Sequence, residues 1–305
     1  MLKNKFSSIL IAMLVAGSVI PSVAKAESTD SEQAETTETI EEDAGTDQII
    51  EPISLNEQQK EEMKELGFTD DDIDSMSNEE YTKYKNLDGK LTSSEENYYE
   101  VTADKDGNVT DIEEITESEA VNQAQQQEKP VFSTMAAKSQ SSTKTTGLLK
   151  MTLTSSKLSN GNTLLKNSFT WIKSPQFALT DVVGITHSAS AVKVPGTDGF
   201  SYKYTDGVGT HSLKASSTTN SATGIAKKFN LKKSGSNKPP YNHHGYISMQ
   251  VKKGNKNDVR ANAYGHYTHV TVGLTGTIDI KTGSISVGGN LSKKEMTPPM
   301  ILFYY

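Results

Sequence analysis

Cysteine is absent from this chain of 305 residues. That removes disulfides as a source of stability, closes the lipid-modified lipoprotein route and excludes a thiol nucleophile, so a folded part must bury enough apolar surface by itself. Long apolar runs are scarce as well. After the run Ile9–Ile20, no stretch approaches the roughly 20 apolar residues that a membrane helix needs. No Gly-x-Ser-x-Gly elbow singles out one serine as a nucleophile. Carboxylates are few late in the chain, where only Asp181, Asp198, Asp206, Asp258, Asp279 and Glu295 follow residue 131, which leaves a carboxylate-pair hydrolase little to work with.

What is present begins with an export signal. Lys3 and Lys5 precede the apolar run and Pro21; the run is too short to span a membrane and has the length of a signal h-region, roughly 7 to 15 residues. Ala24 and Ala26 supply the small side chains that signal peptidase admits, so cleavage is expected between Ala26 and Glu27. The mature chain is therefore expected to be secreted, free in the medium or held non-covalently at the cell wall.

Charge divides that mature chain. Residues 27–130 carry 32 Asp and Glu against 7 Lys, a net of −25, whereas residues 131–305 carry 6 against 21 Lys and Arg, a net of +15. Such asymmetry points to pro-segments or charged partners. It also predicts pairing of the acidic region with the basic domain within one chain. Residues 27–51 are Glu, Thr, Asp and Ser with almost nothing large and apolar, and read as disordered. Residues 52–118 read as a small acidic helical region plus a hairpin. Leu55, Met63, Leu66, Phe68, Ile73, Met76, Tyr81, Tyr84 and Leu87 supply the apolar positions of two or three short helices. Gly67 marks a helix end, and Thr69 with Asp72 and Ser77 with Glu80 form capping-box patterns. Tyr98–Val101 and Val109–Ile115 read as strands around a polar turn from Asp104 to Asn108. Asp104, Asp106, Gly107 and Glu113 fall at EF-hand positions, but Thr102 stands where the loop needs its first carboxylate, so a hairpin turn is the better reading than a calcium site.

Residues 119–146, rich in Gln, Ser, Thr and Lys, read as a linker open to proteolysis, which makes the acidic half either a removable pro-segment or a spacer. From Gly147 the period is two. Phe169 with Trp171, Val183 with Ile185, Phe200 with Tyr202 and Tyr204, Ile247 with Met249 and Val251, and Ile278 with Ile280 each share a strand face. Gly283 lies in the turn of a hairpin from Thr277 to Val287. The fold class is mainly β: an antiparallel β-sandwich or partly closed barrel of roughly eight to ten strands over residues 147–305, preceded by the small acidic helical and hairpin region and the disordered segments.

All six histidines lie in this basic domain. His266 and His269 are three apart on a strand and point to opposite faces, so they cannot share a metal ion. His243 and His244 follow Pro239 and Pro240 in an expected loop, and His187 shares a face with Val183 and Ile185, as a half-buried histidine bonded to backbone would. Asp181, His187 and Ser188 are too close along one strand to form a nucleophile, base and orienter. No motif calls for a cofactor.

The remaining signal is charge with aromatics. Lys227, Lys228, Lys232, Lys233, Lys252, Lys253, Lys256 and Arg260 lie in one stretch with Tyr241 and Tyr246, and a net charge of that size attracts polyanions. Outside a cell those are anionic cell wall polymers or the head groups of a membrane surface; nucleic-acid motifs are absent. The signal peptide, Phe169, Trp171, Pro175, Asp181, Val182 and Ile185, and the later Ala263, Tyr264, Gly265 and His266 resemble uncharacterised exported proteins of Gram-positive bacteria. The resemblance implies secretion and a β domain and carries no functional residue over. The leading expectation is a non-enzymatic extracellular β domain that binds an anionic surface. A secreted toxin or bacteriocin-like factor, with an acidic pro-segment and the apolar Met300–Tyr305 touching membrane, is the alternative. A histidine-dependent metalloenzyme comes third.

Overall fold

The computed structural model describes residues 37–42, 47–128, 144–175, 180–233, 240–270, 277–288 and 296–305. The signal peptide, the Ala26–Glu27 junction and most of the expected linker lie outside them. In chain order the elements are β1 (Glu38–Glu41), β2 (Gln48–Ile50), α1 (Glu57–Glu65), α2 (Asp70–Asp74), α3 (Asn78–Tyr84), β3 (Gly89–Asp104), β4 (Val109–Ile115) and α4 (Glu117–Glu128). There follow β5 (Lys144–Leu158), β6 (Thr163–Lys173), β7 (Thr180–His187), β8 (Ala191–Lys193), β9 (Gly199–Thr205), β10 (Thr210–Ser212), β11 (Ser217–Ser221) and β12 (Gly224–Asn230). The last are β13 (Tyr241–Lys253), β14 (Arg260–Val270), β15 (Ile278–Lys281), β16 (Ser284–Val287) and β17 (Met300–Tyr304).

The strands form a mainly β, antiparallel sandwich. One sheet runs β1-β11-β12-β7-β14-β17, and the other runs β2-β10-β9-β13-β6-β5-β3-β4 with β8 added against β13. Both orders end in edge strands, so the sandwich does not close into a barrel. Alternation builds the core between them: Leu149, Met151, Leu165, Phe169, Trp171, Tyr202, Ile247 and Met249 meet Val183, Ile185, Ile225, Phe229, Tyr267 and Phe303, each worth about 1.5–3 kcal/mol when fully buried. The β15–β16 hairpin lies outside this core, where Ile278, Ile280, Ile285 and Val287 cover Val182 and Ala226 on the outer face of the smaller sheet. Gly283, at φ +75°, makes its turn.

The helices start where their caps dictate. Thr69 with Asp72 and Ser77 with Glu80 form capping boxes, as does Asn56 with Gln59, and Gly67 at φ +84° turns the chain after α1. Met63, Leu66, Phe68, Ile73, Met76 and Tyr84 then pack on Leu158, Leu164 and Tyr246, covering the outer face of the larger sheet.

Five expectations require correction. The acidic hairpin is not a separate unit: β3 pairs with β5 from Gly89 opposite Leu158 to Asp104 opposite Lys144, and Glu35–Tyr305 is one compact unit. A β-sheet is built by backbone pairing, which ignores the charge division that suggested a boundary. The segment read as disordered contributes β1 and β2, which add to β11 and β10 through edge hydrogen bonds and thus need no apolar content. The expected linker begins as helix α4, started by Thr116 and Glu119. His243 and His244 lie in strand β13, where a bulge falls between Tyr241 and His244 and Asn242 stands at φ +53°. The basic part also holds more strands than expected, because short β8 and β10 had no strong alternation to announce them.

Candidate functional site

Several lysines of the sheets are paired with the acidic region. Lys166 and Asp72, 0% and 2% exposed, meet at 2.5 Å beneath α2, and Lys203 meets Glu80 at 2.6 Å beneath α3. Burial pushes both carboxyls up, but the lysine charges and hydrogen bonds more than offset it and hold Asp72 and Glu80 below the usual carboxylate range. Further along, Glu42 meets Lys227 at 2.8 Å, Glu41 meets Lys228 at 3.8 Å, and Asp47 meets Lys232 at 2.6 Å. Three of the expected binding lysines are therefore engaged within the chain. Tyr246 is not on the surface at all: it is buried edge-on against Phe68 and Tyr84. Its place in the lysine-rich stretch suggested exposure, and helix packing removed it. Tyr241 and Lys233 are exposed.

The unpaired cations gather elsewhere. Lys252, Lys253, Lys256 and Arg260 surround the turn from β13 to β14, and none of them is ion-paired with a carboxylate among the described residues. Asp258 folds back to accept from the Asn255 backbone at 2.7 Å, which fixes the turn. Into this end comes the ring of Tyr305, with Lys253 Nζ at 5.6 Å and Lys157 Nζ at 5.9 Å from its centroid. Tyr305 is held by its backbone N–H on Val259 and its hydroxyl on the Ser190 carbonyl at 2.8 Å. Burial, and then the Lys253 charge, push the Lys157 ammonium below its ordinary value. Lys157 and Tyr305 were missed in the sequence because they arrive from distant strands, and nothing local marks them.

The histidines are dispersed. Asp181, fully buried, accepts from the Tyr267 hydroxyl and lies 2.8 Å from His269 Nδ1, and the Trp171 indole donates to Tyr267 at 2.9 Å. Asp181 thus serves Tyr267 and His269 rather than His187, whose Nδ1 lies 3.0 Å from the Ser188 carbonyl. His187 is fully buried, not half-buried. His243 lies 2.9 Å from the Tyr202 hydroxyl, and His244 lies 2.7 Å from Ser75 Oγ. His266 faces Thr186 at 2.9 Å, on the opposite side of β14 from His269. Burial lowers His187 and His244 and brings His243 and His266 to about 4. Among the described residues, no three His, Asp or Glu side chains are grouped to hold a metal ion. Asp104 instead accepts from the Asp106 and Asn108 backbones at 2.9 Å and closes the β3–β4 turn. A groove of about 540 Å³ between α3 and the β1–β2 segment is lined by both signs, including Glu42, Glu80, Lys83, Asp198 and Lys227. No described helix is long and apolar enough to cross a membrane.

No protein family matches the chain, and no curated protein does. Among solved structures, the collagen binding domain of Erysipelothrix rhusiopathiae surface protein RspB is similar at 7% identity and a TM-score of 0.26, over 52% of this chain and 65% of that one. This chain thus spans just under two thirds of that domain's length. A structure concerned with adhesion of Streptococcus parasanguinis by Fap1 fimbriae is similar at 11% identity and a TM-score of 0.24, over 51% of this chain and 79% of that one. At these scores neither similarity bears on function.

Proposed function

We propose that the chain is a non-enzymatic, extracellular β-sandwich that binds an anionic surface, cell wall polymer or lipid head groups, through its cationic end. One observation carries this reading: Lys157 and Lys253 face the Tyr305 ring, and Lys252, Lys256 and Arg260 lie at the same β13–β14 end without an ion pair to a carboxylate among the described residues, while Lys166 and Lys203 beneath the acidic region are neutralised. The whole chain has a net charge of −7, so attraction to polyanions is local to this end, and exposed contacts of that type weaken as salt shortens the screening length. The test is co-sedimentation of the full chain with Gram-positive cell walls at low and high salt, beside the variant K252E/K253E/K256E/R260E. Salt-sensitive binding that the variant loses is expected; equal binding by the variant would remove this end from the reading.

A second observation favours a membrane as the surface. Met300, Leu302 and Tyr304 form an exposed apolar stripe on the outer face of β17, beside Arg260. Dye leakage from anionic vesicles on addition of the full chain would select the membrane-active, toxin-like reading. Binding without leakage would select the surface module.

A further inference from the structure

Strands β1 and β2 of the acidic region occupy two sheet edges, β11 and β10, made of other residues than the cationic end. β1 adds to β11 at the edge of the six-stranded sheet, with Glu38 opposite Asn220 and Glu41 opposite Ser217. β2 adds to β10 at the edge of the larger sheet, with Gln48 opposite Ser212 and Ile50 opposite Thr210. Each edge presents cations and hydroxyls to which the segment brings a carboxylate. Glu42 takes Lys227 and the Thr218 hydroxyl, and its backbone N–H donates to the Ser216 carbonyl at 2.8 Å. Asp47 takes Lys232, the Tyr204 hydroxyl and, at 2.9 Å, His211 Nδ1. Thr39 and Thr219 meet through their hydroxyl oxygens at 3.2 Å.

Little apolar burial accompanies these contacts: Ile40 and Ile49 stand 50% and 59% exposed. The segment is therefore held by an edge ladder and by charge, the two terms that another acidic strand supplies equally well. With it removed, β11 and β10 offer two rows of unpaired backbone groups flanked by Lys227, Lys228 and Lys232, the requirements for strand addition by a peptide of complementary charge. We propose that this surface binds an extended acidic peptide segment of a partner protein by β-strand addition, and that β1 with Glu42 and β2 with Asp47 are the resident occupants which such a segment displaces. Specificity comes from the positions matched by Glu41, Glu42 and Asp47, where a carboxylate must face a lysine.

The test uses the full chain carrying E41K/E42K/D47K, which sets lysine against lysine and frees the edges, and a fluorescent peptide of wild-type residues 37–50. In anisotropy titrations the peptide is expected to bind the variant at least tenfold more tightly than wild type, less tightly as salt rises. A peptide with proline at both 39 and 40 should lose at least tenfold, because one of those two N–H groups faces β11 and proline has none. Absence of binding to a folded variant, equal affinity for wild type, or an unaffected proline peptide would each overturn the proposal. Should the variant not fold, hydrogen exchange on wild type decides. Amides of β1 and β2 exchanging at least tenfold faster than those of β6 and β13 support a displaceable segment; equal protection overturns it.

Discussion

Asp72→Asn should be among the most damaging single-atom changes in this protein. The carboxylate lies 2.5 Å from Lys166, whose ammonium is fully buried and also faces the rings of Phe68 and Tyr246 at 4.7 and 4.8 Å. Asparagine keeps an oxygen for the Thr69 N–H, so the cap survives and the loss is one of charge. An uncompensated buried ammonium costs about 3–5 kcal/mol. The Ser168 hydroxyl and the Gly67 carbonyl, which also touch Lys166, soften but do not replace the missing charge. The double variant D72L/K166M removes both charges together and should lie within about 1 kcal/mol of wild type apart from the lost cap, itself about 1 kcal/mol. Urea unfolding reads both, provided that Trp171 fluorescence, reporting the main core, and near-ultraviolet dichroism from Tyr84 and Tyr246 give coincident transitions. A D72N loss under 1 kcal/mol, or a double variant as unstable as D72N, would refute the account of an ion pair that clamps the helices to the sheet.

Acid should destabilise the fold in two stages. His187, His243, His244 and His266 stay neutral in the folded chain because burial lowers them, so unfolding takes up their protons once the pH falls below about 6.5. His243 alone, lowered to about 4, removes roughly 3 kcal/mol between those values. Thermal melts from pH 7 to 4 should show this as a falling midpoint, and a flat profile over that range would contradict the burial of the imidazoles. Asp72 and Glu80 are lowered instead, so the stability they contribute is present above the usual carboxylate value and is lost only as the pH drops through their depressed ones. Two glycines separate strain from crowding. Gly67→Ala combines φ +84° with a Cβ only 2.3 Å from Thr154 Oγ1, whereas Gly161→Ala has φ +88° and nothing within 4 Å. Gly161→Ala should cost about 1 kcal/mol, and Gly67→Ala clearly more in the same unfolding assay.

The sequence by itself determined the elements whose signals are local. Alternation at Phe169 with Trp171 and at Ile247 with Met249 identified strands, because side chains two apart share a strand face and an apolar pair must be buried somewhere. The capping boxes at Thr69 and Ser77 identified helix starts, because the side chain and the N–H it satisfies lie three residues apart. Charge division between the halves correctly foretold that acidic and basic parts pair. Which residues pair belonged to the tertiary structure alone. Lys166 and Lys203 look like ordinary polar positions of a strand, and only the docking of α2 and α3 on that face makes them buried cations held by Asp72 and Glu80. In the same way β3 became the neighbour of β5, Glu38–Glu41 and Gln48–Ile50 of the acidic part became edge strands, and Lys157 met Tyr305. Sheet register and edge occupancy arise from backbone groups that every residue carries, so no side-chain pattern announces them; they are decided only when the strands are assembled.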